Sequence, residues 1–180
     1  MLKITIPATE QWDEEKQEFV YTDERTLQLE HSLVSLSKWE SKWHKAFLGR
    51  KPKTQEETLD YVRCMTITQN VDPNIYRCLT AESMKQIQEY IDDQMTATYF
   101  SEDKTGGHNR ETVTSEVIYY WMIALNIPFE CQKWHLNRLL TLVRVCNIKN
   151  SPPKKMSKSA IMSRNAALNA ARRKQLNTTG

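Results

Sequence analysis

Glycine is scarce in this sequence: four in 180 residues, two of them adjacent at Gly106-Gly107. Tight hairpins and left-handed turns draw on glycine, so a fold rich in them is disfavoured. Long apolar runs are missing as well. The longest, Val117 to Leu125, has nine residues, against the roughly 20 that a helix needs to cross a bilayer. It reads as a buried helix, and no membrane partner is expected. Residues 1–12, MLKITIPATEQW, contain no apolar stretch of leader-peptide length. Four cysteines are present, Cys64, Cys78, Cys131 and Cys146, with no C-x-x-C pair among them. Without an export signal they read as reduced core thiols, which places the chain in a cytosol.

Acid is missing from one end only. Residues 131–180 carry 11 Lys/Arg and no Asp or Glu, whereas residues 1–130 carry 14 Lys/Arg and 22 Asp/Glu. The modest net charge of +3 is therefore −8 joined to +11. Segregation of this kind marks the C-terminus as an interaction surface.

The residue sets that carry catalysis or hold metals are also lacking. Gly106-Gly107-His108 is not followed by the Gly-Lys-Ser/Thr of a phosphate loop. Cys131 and His135 stand four apart, so one helical face would present both, but a structural zinc site wants four ligands. His31, His44 and His108 show no ligand spacing. Asp92 and Asp93 are neighbours on a helix and diverge by about 100°. Glu56 and Glu57 belong to a helix N-terminus, where the dipole favours them. No nucleophile and base are brought together by spacing. The expectation is a protein with no catalytic residues, no metal and no cofactor.

What is present is helical periodicity. Residues 2–6, LKITI, alternate and predict a short strand; 19–22 and 27–29 are two more candidates, so residues 1–32 predict a small N-terminal sheet. From Leu33 onward the period changes. Leu33, Leu36, Trp39 or Glu40, Trp43 and Phe47 predict a helix, with Gly49 where its C′ glycine belongs. Thr54-Gln55-Glu56-Glu57 is a capping box opening a second helix, with Leu59, Val62, Cys64 or Met65 and Ile67 as its apolar side. Asp72-Pro73 breaks the chain, and Thr80 caps a third helix over Ala81–Asp92 with Met84, Ile87 and Ile91 on one face. Met95 to Phe100 reads as a strand candidate and 101–110 as a loop. Residues 115–126 are apolar nearly all round, which predicts a central, mostly buried helix. After Pro128 a helix over 129–148 carries Trp134, Leu136, Leu139, Leu140, Val143 and Cys146, and the two should form a helical hairpin. Pro152-Pro153 then stiffens a linker before a last helix over 157–174, whose apolar side is thin: Ile161, Leu168 and Ala171. The fold class is mainly α, in three parts: a β segment at 1–32, a helical core at 33–149, and a Pro-Pro linker with a basic helical arm at 150–180.

Two sets of residues are candidates for binding a partner. Trp39 and Trp43, in WESKW, share a helical face and either pack in the core or anchor a partner chain. Lys154, Lys155, Lys158, Arg164, Arg172, Arg173 and Lys174 suit phosphates or an acidic protein face. Beyond Trp134 no aromatics interleave with them, so stacking on bases is not indicated. A solvated tail is the plain alternative.

Three blocks, SLVSLSKWESKWHKAFL (32–48), KTQEETLDYVRCMTI (53–67) and SEVIYYWMIALNIPFECQKWHLNRLLTLVRVCN (115–147), resemble small proteins encoded among the tail genes of long-tailed bacteriophages of siphovirus type. The resemblance continues into PPKKMSK and NAALNAARR and covers most of the chain. Such proteins are similar to tail assembly chaperones or other tail-morphogenesis proteins. The resemblance implies a non-catalytic, mostly helical protein of the host cell cytoplasm. It would bind the long tape measure protein, keep it soluble and help tail tube subunits polymerise around it, with no cofactor and with self-association open to it. It also implies that Pro152-Pro153-Lys154-Lys155 marks the join to a frameshifted extension. Two other classes stay open: a nucleic-acid-binding protein using the basic C-terminus, and a structural tail or neck component of the virion.

Overall fold

The computed structural model describes residues 1–13, 17–100, 112–152 and 157–178. The chain divides into two compact units, Met1–Ile148 and Lys149–Gly180. It is mainly helical with a small antiparallel N-terminal sheet.

The first unit opens with strands β1 (Leu2–Ile6), β2 (Thr9–Asp13), β3 (Glu18–Thr22) and β4 (Arg25–Leu29). β1 pairs antiparallel with β4, and β2 with β3. Ile6 faces Arg25, and three residues on Thr9 faces Thr22, so both ladders are successive lengths of one long hairpin. Pro7 lies between them, where its missing N–H interrupts the ladder. Ile4, Ile6, Leu27 and Leu29 are buried, as alternation on one sheet face requires. β2 is the strand that periodicity did not mark, because TEQWD has no alternating apolar set. The far edge of β4 is covered by the end of the second helix: Ile67 N–H donates to Gln28 O at 2.8 Å and Glu30 N–H to Met65 O at 2.9 Å.

Helix α1 (Leu33–Trp43) starts at Ser32, whose hydroxyl accepts from Ser35 N–H while Ser35 Oγ accepts from Ser32 N–H. It ends sooner than the sequence predicts. His44 takes the left-handed conformation (φ 50°), and its N–H donates to Glu40 O at 2.8 Å. Gly49 is therefore not the cap, and Phe47 lies beyond the helix. The cause is Glu40: its carboxylate accepts Phe47 N–H at 2.8 Å and turns the chain. Helix α2 (Gln55–Met65) opens with the predicted capping box, Thr54 Oγ1 accepting from Glu57 N–H at 3.2 Å and Glu57 accepting from Thr54 N–H at 2.9 Å. A 3-10 turn over Pro73–Cys78 leads to α3 (Ala81–Asp92), capped by Thr80 as predicted.

Residues 95–100 are not a strand. Among the described residues no strand pairs with it, and Tyr99 is exposed. The predicted loop at 101–110, with Gly106-Gly107-His108, falls outside the described residues. Helix α4 (Ser115–Ala124) buries only Ser115, Ile118 and Met122, one face, while Tyr120 and Ile123 are 66% and 62% exposed. The expectation of a mostly buried helix is thus corrected: α4 packs one side against α1 and leaves apolar side chains on the other. The predicted helix over 129–148 is also two elements. A 3-10 turn covers Phe129–Lys133, and α5 (Leu136–Asn150) starts after His135. There Leu136 N–H donates to His31 O at 2.7 Å, and residues 32 and 135 form an isolated antiparallel bridge.

Two apolar clusters fill the first unit. One joins β1 and β4 to α2, α3 and Trp39; the other joins Leu33 and Leu36 to α4 and α5. Helix α1 runs between them and serves both, which is why Trp39 and the Leu33/Leu36 pair point to different neighbours. The four cysteines are free thiols.

The second unit contains α6 (Lys158–Leu176), capped by Ser157, whose hydroxyl accepts from Ala160 N–H, and closed by Asn177 in the left-handed conformation (φ 54°). Among the described residues no helix is long and apolar enough to cross a membrane.

Candidate partner-binding site

The early end of α1 opens a concavity in the first unit. Beyond His44 the chain loops through residues 45–53 before α2, and this loop shares a groove of about 1010 Å³ with Val113, Trp121 of α4 and Leu140 of α5. Two buried carboxylates hold the loop. Glu40, 7% exposed, accepts Phe47 N–H at 2.8 Å with one oxygen and Ser115 N–H at 2.7 Å with the other. A single side chain thereby ties α1 to the loop and to the first turn of α4. Glu57, 2% exposed, accepts Thr54 N–H and pairs with Lys45. The Lys45 ammonium and the Thr54 amide hold its carboxyl below the usual carboxylate range.

The groove floor is aromatic and aliphatic, with Trp39, Trp121, Val113 and Leu140 among its lining, and its rim carries Arg50, Lys51 and Lys53. Phe47 stacks on Tyr61 at 3.7 Å, and the Lys53 ammonium sits 4.2 Å over the Phe47 ring. Lys45 is neutralised by Glu57, so Arg50 and Lys51, both exposed, supply the rim with positive charge. A concavity of this size lies at the upper end of the roughly 300–1,000 Å³ of small-ligand sites. Its open mouth, apolar floor and cationic rim suit an acidic segment that also carries apolar side chains.

The second unit offers a convex surface instead. None of the nineteen residues of α6 is buried. Ile161, Met162, Leu168 and Leu176 are 43%, 72%, 45% and 71% exposed. Lys158, Arg164, Arg172, Arg173 and Lys174 lie on the same helix, with no acid on it. Arg173 and Lys174 in the last turn complement the helix dipole.

A comparison with protein-family models, curated proteins and solved structures found no match.

The candidate residues divide accordingly. Trp39 is 1% exposed, its Nε1–H donating to Glu57 O at 2.8 Å, and only an edge of it reaches the groove. Trp43 is half-buried with its Nε1–H on Asp60 Oδ2 at 2.8 Å. The pair is thus packing with satisfied N–H groups rather than an exposed anchor. Lys158, Arg164, Arg172, Arg173 and Lys174 share α6. Lys154 and Lys155 lie outside the described residues. Arg50, Lys51 and Trp121 are the groove residues that sequence reasoning missed. The signal was available in part: GRKPK at 49–53 places three cations in five residues.

Cys131 and His135 do not share a helical face, because a 3-10 turn and an extended residue separate them. His135 instead meets His31. Their rings lie 5.1 Å apart, edge to face, at 6% and 2% exposure. His31 Nδ1 and Tyr61 Oη are joined by a 2.6 Å hydrogen bond, and His135 Nε2 donates to Tyr90 O at 2.9 Å. Burial, with His135 adding to it, pushes His31 down to about 3, and burial lowers His135 as well. Both rings are neutral at pH 7, and the pair is a structural joint between the start of α1 and the start of α5. Among the described residues no three His, Cys, Asp or Glu side chains converge as metal ligands.

Proposed function

We propose that this chain is a non-catalytic binding protein of the tail assembly chaperone type. It engages a long helical client, the tape measure protein, while tail tube subunits assemble around that client in the host cytoplasm. The observation that carries the reading is α6: a capped helix of nineteen residues that buries none of them. An isolated helix of this length is marginal in water, and most helical stability comes from packing an apolar face. Ile161, Met162, Leu168 and Leu176 await such a face, and the five cations around them suit an acidic one. The resemblance to tail-morphogenesis proteins supplies the identity of the client.

Co-expression with the tape measure protein of the same phage tests this. The full chain should hold the client in a soluble complex, and the chain truncated after Asn150 should lose most of that capacity. A client that stays insoluble beside the full chain counts against the proposal. A second reading is favoured by one feature, the run Arg172-Arg173-Lys174 on an acid-free helix: phosphate binding to nucleic acid. Binding to bulk duplex DNA that falls steeply with salt, in the absence of client binding, would select it.

A further inference from the structure

We propose that the groove beside α1 is a docking site for an acidic peptide segment of another protein, one that carries apolar side chains among its carboxylates. The charge along the groove has one sign. Its lining includes Lys45, Arg50, Lys51 and Lys53, and among the described lining residues Glu57 is the only acid. That acid is 2% exposed and already engaged by Lys45 and the Thr54 amide, so it offers a ligand nothing. Lys45 is spent on Glu57, and Lys53 lies over the Phe47 ring. Arg50 and Lys51 remain: both are exposed, and no ion pair among the described residues engages either. Uncompensated cations beside low-dielectric walls focus a positive potential into a cleft. The walls here are apolar, with Val113, Trp121 and Leu140 on one side and Leu48, 41% exposed, on the loop itself.

These features favour a peptide over a phosphate or nucleotide. Phosphates seek clustered backbone amides, above all at a helix N-terminus. The nearest such terminus is that of α2, and it holds the chain's own Glu57 carboxylate, which accepts from Thr54 N–H at 2.9 Å. A second anion seated there would face a buried like charge. The Phe47 amide is likewise spent on Glu40, and the Gly49 amide on Ala46 O. What remains for an anion is two long side chains set over aliphatic and indole surface, which suits carboxylates interspersed with leucine- or phenylalanine-like groups. The loop is also fixed before anything binds, because Glu40 and Glu57 tie it to α1, α2 and α4. A partner therefore does not have to order it, and that saves affinity. The tape measure client has no part in the proposal or in its test.

Selection of the full chain against a display library of random peptides, about ten residues long, reads the preference without assuming a partner. The bound pool should be enriched in Asp and Glu next to Leu, Phe or Tyr. A synthetic peptide from that pool, followed by fluorescence anisotropy, should bind more weakly as salt rises. Arg50→Glu/Lys51→Glu should weaken it by at least about tenfold, and Leu48→Asp by a similar factor. Arg172→Glu/Arg173→Glu makes the same change in net charge on α6 and should leave the peptide's affinity within about twofold, which separates the groove from the overall charge and from the arm. Circular dichroism and the thermal midpoint check that each variant is folded; Arg50→Gln/Lys51→Gln replaces the reversal if it is not, with weaker binding again expected. No enrichment, enrichment in basic peptides, or a loss equal in the groove and arm variants would each overturn the proposal. Displacement of the peptide by inorganic tripolyphosphate, together with indifference to Leu48→Asp, would overturn it in favour of a phosphate site. Concentration-dependent self-association of the wild-type chain that Arg50→Glu/Lys51→Glu abolishes, with no peptide selected, would overturn it in favour of a second copy.

Discussion

The two units solve the problem of burying apolar surface in opposite ways. Among its described residues the first wraps twenty-two buried hydrophobic side chains into two clusters and even takes acids inside, Glu40 and Glu57, both hydrogen-bonded. The second buries none of α6 and carries no titratable acid or histidine from Lys149 onward. In the first unit stability comes from packing and from polar groups that have lost water and found partners. In the second it rests on local helix chemistry: the Ser157 cap, alanine content, and basic residues at the C-terminal end of the dipole. If α6 is a binding arm, as proposed, it stays available because none of its residues is buried.

The sharpest way to break this comparison is to remove large side chains from both units. Trp39→Ala removes an indole packed edge-on against Phe47 and Tyr61 and should cost about 3–5 kcal/mol in urea unfolding. Leu168→Ala on α6 should cost less than about 0.5 kcal/mol. Comparable losses would mean that α6 is packed like core.

Acid should separate the units next. The folded-state pKa of His31 lies near 3, well below its unfolded value of about 6.5. The unfolded chain therefore binds the proton first as pH falls. The stabilisation is fully present above pH 6.5 and is lost progressively down to about pH 3, at up to about 1.4 kcal/mol per pH unit, or roughly 3 kcal/mol by pH 4. His31→Gln should flatten the midpoint-against-pH curve across pH 4–6.5, above the main range of carboxylate titration. Helix content contributed by residues 149–180 should not change over that interval. A wild-type curve already flat there would mean that His31 is protonated inside the fold.

Glu40→Ala should follow, at about 2–3 kcal/mol, because it orphans the amides of Phe47 and Ser115. It should also disorder the groove rim, read as faster amide exchange at residues 44–53. Unchanged exchange would show that the loop holds itself. The smallest effect belongs to truncation after Asn150: the thermal midpoint of the first unit should move by no more than about 1 °C, since a change of 1 kcal/mol corresponds to roughly 2–4 °C in a domain of this size. A midpoint lowered by several degrees would make the arm part of the core.

Some elements could be read from the sequence because their physics is local. The Thr54 and Thr80 caps, the alternation in β1 and β4, and the Pro-marked end of the helical core each depend on residues within a few positions of one another. So does the basic, thinly apolar α6, which the sequence predicts within two residues at either end. Its exposure follows from composition, since four large apolar residues among nineteen make too thin a stripe to dock the helix firmly by itself.

The groove was not local in this sense. Its loop exists because Glu40 reaches amides seven and seventy-five residues away, and no periodicity reports such a reach. The same holds for α4, whose apolar run leaves Tyr120 and Ile123 exposed because only one side of the helix is covered. It holds for His31 and His135, whose pairing waits on the bridge between residues 32 and 135. Capping, alternation and charge segregation are short-range and additive, so the sequence by itself determined them. Which face of an apolar helix is covered, and where a buried carboxylate turns the chain, depends on long-range contacts made together, and only the tertiary structure decided those.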